Sequence, residues 1–156
     1  MKESPLKAGT PAPDFSLPDQ NEETVSLAGL RGKKVLLSFH PLAWTGVCEI
    51  QMRTLEVKAE TLEKLNTRAF GVSVDSPPSK KAWADSMGME KTGLLADFWP
   101  HGEVAEKYSL FLEEKGISGR ANVLIGEEGK IELVKIYRIS EIPDLEEIIR
   151  FLRSSG

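Results

Sequence analysis

Apolar positions along the chain fall into short strand-like runs separated by stripes of helical period. Lys33 to His40 carries Val35, Leu36, Leu37 and Phe39 almost without a break, which suits a strand buried on both faces, as in a parallel sheet. From Cys48 the period changes. Cys48, Met52, Leu55, Ala59 and Leu62 recur at steps of four and three, one face of an amphipathic helix running to about Leu65. Arg68 to Asp75, with Ala69, Phe70, Val72 and Val74, reads as the next strand. Ser76-Pro77-Pro78 then opens a helix carrying Ala82, Trp83 and Met87 and ended by Gly88. Leu94 to Ala96 reads as a short strand and Val104 to Tyr108 as a short helix. Ala121 to Ile125 and Lys130 to Tyr137 are strands joined by a turn at Glu127-Glu128-Gly129. The final helix takes Pro143 at its first position and buries Leu145, Ile148, Ile149 and Leu152. Its acids, Asp144, Glu146 and Glu147, come early and Arg150 and Arg153 late, matching the macrodipole.

Ahead of this series, residues 1–13 bear Pro and Gly and read as an extended arm. Phe15 to Leu17 and Thr24 to Leu27 are short strands around a turn at Pro18-Asp19-Gln20-Asn21. The order is βαβαβ, then a hairpin and a helix. Right-handed crossovers make the first strands parallel, and the hairpin adds an antiparallel partner. The expected architecture is α/β, a central mixed sheet flanked by helices, with an N-terminal β extension.

Composition narrows the function. The 156 residues suit one domain, 1–156, and 40% hydrophobic with 28% charged residues is ordinary for a globular protein. Twenty basic against 24 acidic residues give a net charge of −4, with a pI near 5.3. Without a basic run the chain is a poor nucleic-acid binder and lacks the cluster that anionic membranes attract. Met1 to Thr10 holds no long apolar stretch, so neither a signal peptide nor an anchor is expected, and a cytoplasmic protein is. One cysteine allows no internal disulfide and no multi-cysteine zinc site. His40 and His101, the only histidines, have no ligand spacing around them, and no phosphate loop is present, so neither metal nor cofactor is expected.

The stretch that carries chemistry is His40-Pro41-Leu42-Ala43-Trp44-Thr45-Gly46-Val47-Cys48, where a buried strand gives way to the long helix. With Thr45 as N-cap, Cys48 is the third helical residue, and the Thr45 hydroxyl is expected to reach the Cys48 N–H or sulfur. A sulfur in a first turn feels the positive end of the helix and its unpaired N–H groups, which favours thiolate. Pro41 would stiffen the loop and exclude water on one side. The plain alternative is a packing cysteine, since Cys48 sits on the apolar face of its own helix. That alternative leaves the Pro, Thr and Cys at this junction unexplained.

The segment resembles the peroxiredoxin signature P-x-x-x-T-x-x-C, with Pro41, Thr45 and Cys48 in place, and in particular the alkyl hydroperoxide reductase E-like branch. Gly9-Thr10-Pro11-Ala12-Pro13-Asp14-Phe15-Ser16-Leu17 is similar to the family's N-terminal motif. Asp97-Phe98-Trp99-Pro100-His101-Gly102 is similar to that branch's segment after the third strand. Gly119-Arg120 fits the position of the family's arginine. The resemblance implies a thioredoxin-like fold and a thiol peroxidase acting on hydrogen peroxide and organic hydroperoxides. It implies that Cys48 attacks the peroxide, that Thr45 bonds peroxide and sulfur, that Pro41 shields the sulfenic acid and that Arg120 holds the thiolate. It also implies a homodimer or larger homo-oligomer. With no second cysteine, an external thiol or redox protein must resolve the sulfenic acid. Gln51 stands where many relatives carry Glu, and Trp44 replaces a more usual Phe. A less basic thiolate is a weaker nucleophile, so the larger catalytic contribution must come from donors aimed at charge growing on the leaving oxygen. A redox sensor, or a thioredoxin-like binding module with an inert cysteine, are the other readings the residues allow.

Overall fold

The computed structural model describes residues 6–155, so the first five residues of the expected arm lie outside the described residues. The rest of that arm is pinned rather than free. Gly9 donates to the Ile131 carbonyl, Ala12 to Gly129, and Thr10 accepts from Ile131. Next, β1 (Ser16–Pro18) and β2 (Thr24–Ser26) form an antiparallel hairpin. The Asp19 carboxylate makes its turn by accepting from the N–H groups of Asn21 and Glu23.

The central sheet contains β3 (Lys34–Phe39), β4 (Thr67–Ser73), β5 (Gly93–Ala96), β8 (Arg120–Ile125) and β9 (Ile131–Tyr137), in the order β5-β4-β3-β8-β9. The first three strands are mutually parallel, and β8 and β9 are antiparallel additions. The expected mixed sheet is therefore present. Two features lay outside expectation: β6 (Phe111–Leu112) and β7 (Ile117–Ser118), a hairpin too short to give a periodic signal.

Alternation along β3 divides the core. Val35, Leu37 and Phe39 join the cluster that includes Phe15, Leu17, Val104, Tyr108 and Val123. Leu36 joins Cys48, Met52, Leu55, Trp83, Leu124 and Ile148 on the other face. That second face is covered by α1 (Gly46–Val57), α2 (Ala59–Lys64), α3 (Pro77–Met87) and α5 (Leu145–Ser155). The short α4 (Glu103–Lys107) contributes to the first.

Three helix readings need correction. The expected single helix to Leu65 breaks at Lys58, whose N–H is shared between the Thr54 and Glu56 carbonyls. The stripe of α3 is Lys80, Trp83, Ala84 and Met87, while Ala82 is exposed. Pro143 precedes α5, and the Asp144 carboxylate accepts from the Glu147 N–H at 3.4 Å in the manner of an N-cap.

Candidate active site

The antiparallel pairing of β3 with β8 sets the end of β3 beside the start of β8, and the first turn of α1 joins them there. Thr45 is extended (φ −107°, ψ 152°) and α1 begins at Gly46, so Cys48 is the third helical residue, as expected. Its sulfur is fully buried. The Thr45 hydroxyl does not cap the helix. It donates to the Leu42 carbonyl at 2.8 Å. The cause is the turn Leu42–Thr45, where Trp44 takes a positive φ of 69° and folds the Leu42 carbonyl back within reach. The Trp44 indole is about half exposed and donates to Ser79 Oγ at 3.2 Å. No side chain caps the first turn of α1, so its free N–H groups still point toward the sulfur's end of the helix.

Arg120 is the first residue of β8 and is buried, not the exposed strand-end residue its position would suggest. One nitrogen, Nη1, donates to Cys48 Sγ at 3.4 Å and to Gln51 Oε1 at 2.7 Å. The opposite edge of the guanidinium donates twice to the Ile139 carbonyl, from Nε at 3.0 Å and Nη2 at 2.7 Å. Two edges are thus fixed, and the fork is held to one orientation.

Gln51 lies one turn after Cys48 on the buried face of α1. Its amide nitrogen donates to Ser38 Oγ at 2.6 Å and to the Phe39 carbonyl at 3.1 Å. Ser38 Oγ donates in turn to Asn122 Oδ1 at 2.7 Å. This polar seam between β3, β8 and α1 pairs both ends of the Gln51 amide and the Ser38 hydroxyl, as a low-dielectric interior demands. Pro41 is buried immediately after β3. Ala43 N–H and the Ser73 hydroxyl both donate to Asp75 Oδ2, at 2.8 and 2.6 Å, which ties the Pro41–Thr45 turn to the end of β4.

The four residues singled out from the sequence fall into two groups. Cys48 and Arg120 are in direct contact. Thr45 and Pro41 border the same turn, and the Thr45 hydroxyl is turned to the Leu42 carbonyl rather than to the sulfur. Sequence reasoning missed Ser38, Asn122, the Ile139 carbonyl, and the buried pair His40 and Lys80. For Lys80 a signal existed: it falls on the Trp83, Ala84, Met87 stripe of α3, where a charge is out of place. Among the described residues no group of three or more His, Cys, Asp or Glu could hold a metal ion. Among the same residues no helix is long and apolar enough to cross a membrane.

Comparison with known proteins shows the family and the fold. Residues 8–134 match the model of the AhpC/TSA family. Alkyl hydroperoxide reductase E of Mycobacterium tuberculosis is 40% identical over 140 residues, covering 89% of this chain and 91% of that protein. Peroxiredoxin Bcp of Escherichia coli is 36% identical over 138 residues, covering 84% and 86%. Among solved structures, AhpC of Enterococcus faecalis superposes with a TM-score of 0.88 at 28% identity, over 96% of this chain and 92% of that one. The 2-Cys peroxiredoxin of Plasmodium vivax gives the same TM-score at 26% identity, over 97% and 82%. A buried cysteine in a helical first turn, held by an arginine on a thioredoxin-like sheet, thus sits in a chain that belongs to the AhpC/TSA family of peroxiredoxins.

Proposed function

We propose that this chain is a one-cysteine thiol peroxidase in which Cys48 reduces hydrogen peroxide and organic hydroperoxides. The observation that carries the reading is the contact of Arg120 Nη1 with the buried Cys48 sulfur at 3.4 Å. A guanidinium in that place stabilises thiolate before attack and charge on the departing oxygen during it. The thiolate attacks one peroxide oxygen, the S–O bond forms as the O–O bond breaks, and the leaving oxygen takes up a proton. Sulfenic acid remains on Cys48.

Thr45 acts from the rim. Its hydroxyl can turn from Leu42 toward a bound peroxide, and its oxygen accepts the peroxide hydrogen. Pro41 walls the sulfur from water. A mainly apolar cleft on the far side of Arg120, lined by Leu110, Phe111, Leu112, Ile136 and Ile139, gives an organic substituent a place to lie. The only cysteine of the chain is Cys48, so resolution falls to an external thiol, and a thiol-rich cytoplasm suits that demand. Exposed Leu42, Trp44, Phe98 and Trp99 favour association with a second copy.

The test is rapid mixing of reduced protein with hydrogen peroxide, followed by mass spectrometry of Cys48. The reading expects one added oxygen at a rate orders of magnitude above that of free cysteine, turnover with excess thiol, and none of this in Cys48→Ser. An ordinary thiol rate would overturn it. Oxidation without cycling would instead indicate a sensor.

A further inference from the structure

Lys80 is a lysine with no exposed surface. Its Nζ has one hydrogen-bond partner among the described residues, His40 Nε2 at 3.4 Å. His40 is equally buried, with its ring 5.5 Å from that of Trp83. The His40 Nδ1 faces the Ser38 carbonyl at 3.3 Å. A carbonyl only accepts, so Nδ1 carries the ring hydrogen and Nε2 is the acceptor for Lys80. Burial, and then the charge of Lys80, hold the imidazole pKa well below its ordinary range; the Ser38 bond opposes them and Arg120 adds to them.

An ammonium with one bond to a neutral ring is costly to bury. Burial is the largest influence on Lys80 and lowers its pKa to about 7, against the pull of Asp75 beyond β4, Cys48 on α1 and Asp97 beyond β5. Asp75 is already bonded to Ala43 and Ser73, and Asp97 to the N–H groups of Val104 and Ala105. Both carboxylates stay outside peroxide chemistry. The sulfur does not: its charge is the one that changes when it is oxidised. Lys80 also reaches the catalytic seam through bonded neighbours, because the Ser38 that anchors His40 holds Gln51, which in turn holds Arg120.

Resting on the peroxidase reading of Cys48, we propose that Lys80 is a buried charge partner of the Cys48 thiolate, behind the His40–Ser38–Gln51–Arg120 seam, that holds a proton while the sulfur is anionic and releases it when the sulfur is oxidised. The step balances. Thiolate, hydrogen peroxide and the Lys80 ammonium give sulfenic acid, water and the Lys80 amine. The sulfur loses two electrons to the peroxide, and the departing hydroxide gains one proton. With Lys80 as its source, that proton comes from the protein and not from bulk solvent.

The experiment counts protons. One equivalent of hydrogen peroxide is added to the reduced protein in weak buffer with an indicator dye, and thiolate loss is followed by its ultraviolet absorbance. At pH near 7, Lys80→Met is expected to take up about one proton per thiolate lost, and the wild type about half as many. The difference should close about two pH units higher, where Lys80 is neutral before oxidation. Lys80→Arg, which keeps the charge but cannot release a proton, should behave like the Met variant and serves if that variant does not fold. Equal counts in all proteins, or a difference that does not change with pH, would overturn the proposal. The count is indifferent to speed, so slow oxidation overturns the peroxidase reading, whereas fast oxidation with equal counts overturns only this one.

Discussion

Gln51 uses both ends of its amide, receiving from Arg120 and donating to Ser38 and the Phe39 carbonyl. A carboxylate here would bind Arg120 but leave the Phe39 carbonyl facing a like-signed oxygen. Gln51→Glu is therefore expected to lower stability by about 1–3 kcal/mol, read by denaturant midpoint. Arg120→Met removes the donor to the sulfur and deprives Gln51 Oε1 and the Ile139 carbonyl of their Arg120 donors. The peroxide rate constant should fall about 10²–10³-fold, the usual loss when one charge-stabilising donor is deleted. Lys80 gives a pH signature in stability. Its folded pKa of about 7 lies below the ordinary 10.5. Between those values the unfolded chain binds a proton that the folded one refuses, so this residue lowers stability progressively as pH falls from 10.5 to 7 and adds no further slope below. The difference in melting temperature, Lys80→Met minus wild type, should therefore be more positive near pH 7 than near pH 10.5.

At the level of elements, α1 is fixed at both ends. Its first turn meets β8 through Cys48 and Arg120. Its last turn holds the segment before β5 through Glu56, whose carboxylate accepts from the N–H groups of Glu90, Lys91 and Thr92. Partial burial pushes the Glu56 carboxyl up, and these bonds together bring it below 4.5. Its contribution is thus present above 4.5 and disappears as pH falls through the lower folded value. Glu56→Gln should unfold more easily at neutral pH, with the gap to wild type shrinking under acid, followed by thermal melts across pH.

The strands and helices of this scaffold were legible because their periods are long and clean. The β6–β7 hairpin was not, since two-residue strands leave no pattern, and the break at Lys58 was not, since the apolar stripe runs on from Leu55 to Leu62. At the site, the spacing of Pro41, Thr45 and Cys48 was readable along the chain. The partners of Gln51 and the Ile139 carbonyl that orients Arg120 were not, because each bond joins residues from different elements. The bond predicted for Thr45 failed for a local reason: a positive φ at Trp44 redirects its hydroxyl to Leu42.

For the whole molecule, the exposed apolar side chains bear on assembly. Trp99 is 81% exposed and Trp44 53%, large values for indoles on a solvated surface. If they line an interface between copies, Trp99→Glu should shift sedimentation toward monomer without lowering the stability of the protomer by more than about 0.5 kcal/mol, the usual span for exposed substitutions. Unchanged sedimentation of a monomeric wild type would remove the interface. The guanidinium of Arg120 has a further consequence at this scale. Its partners are two neutral acceptors and one sulfur, with no carboxylate among them. While Cys48 is thiolate the guanidinium faces an anion; once it is sulfenic acid, the same guanidinium faces only neutral acceptors. Oxidation would thus strip an enclosed cation of its only anionic neighbour, so the oxidised protein is expected to melt at a lower temperature than the reduced one, checked by thermal melts before and after one equivalent of peroxide.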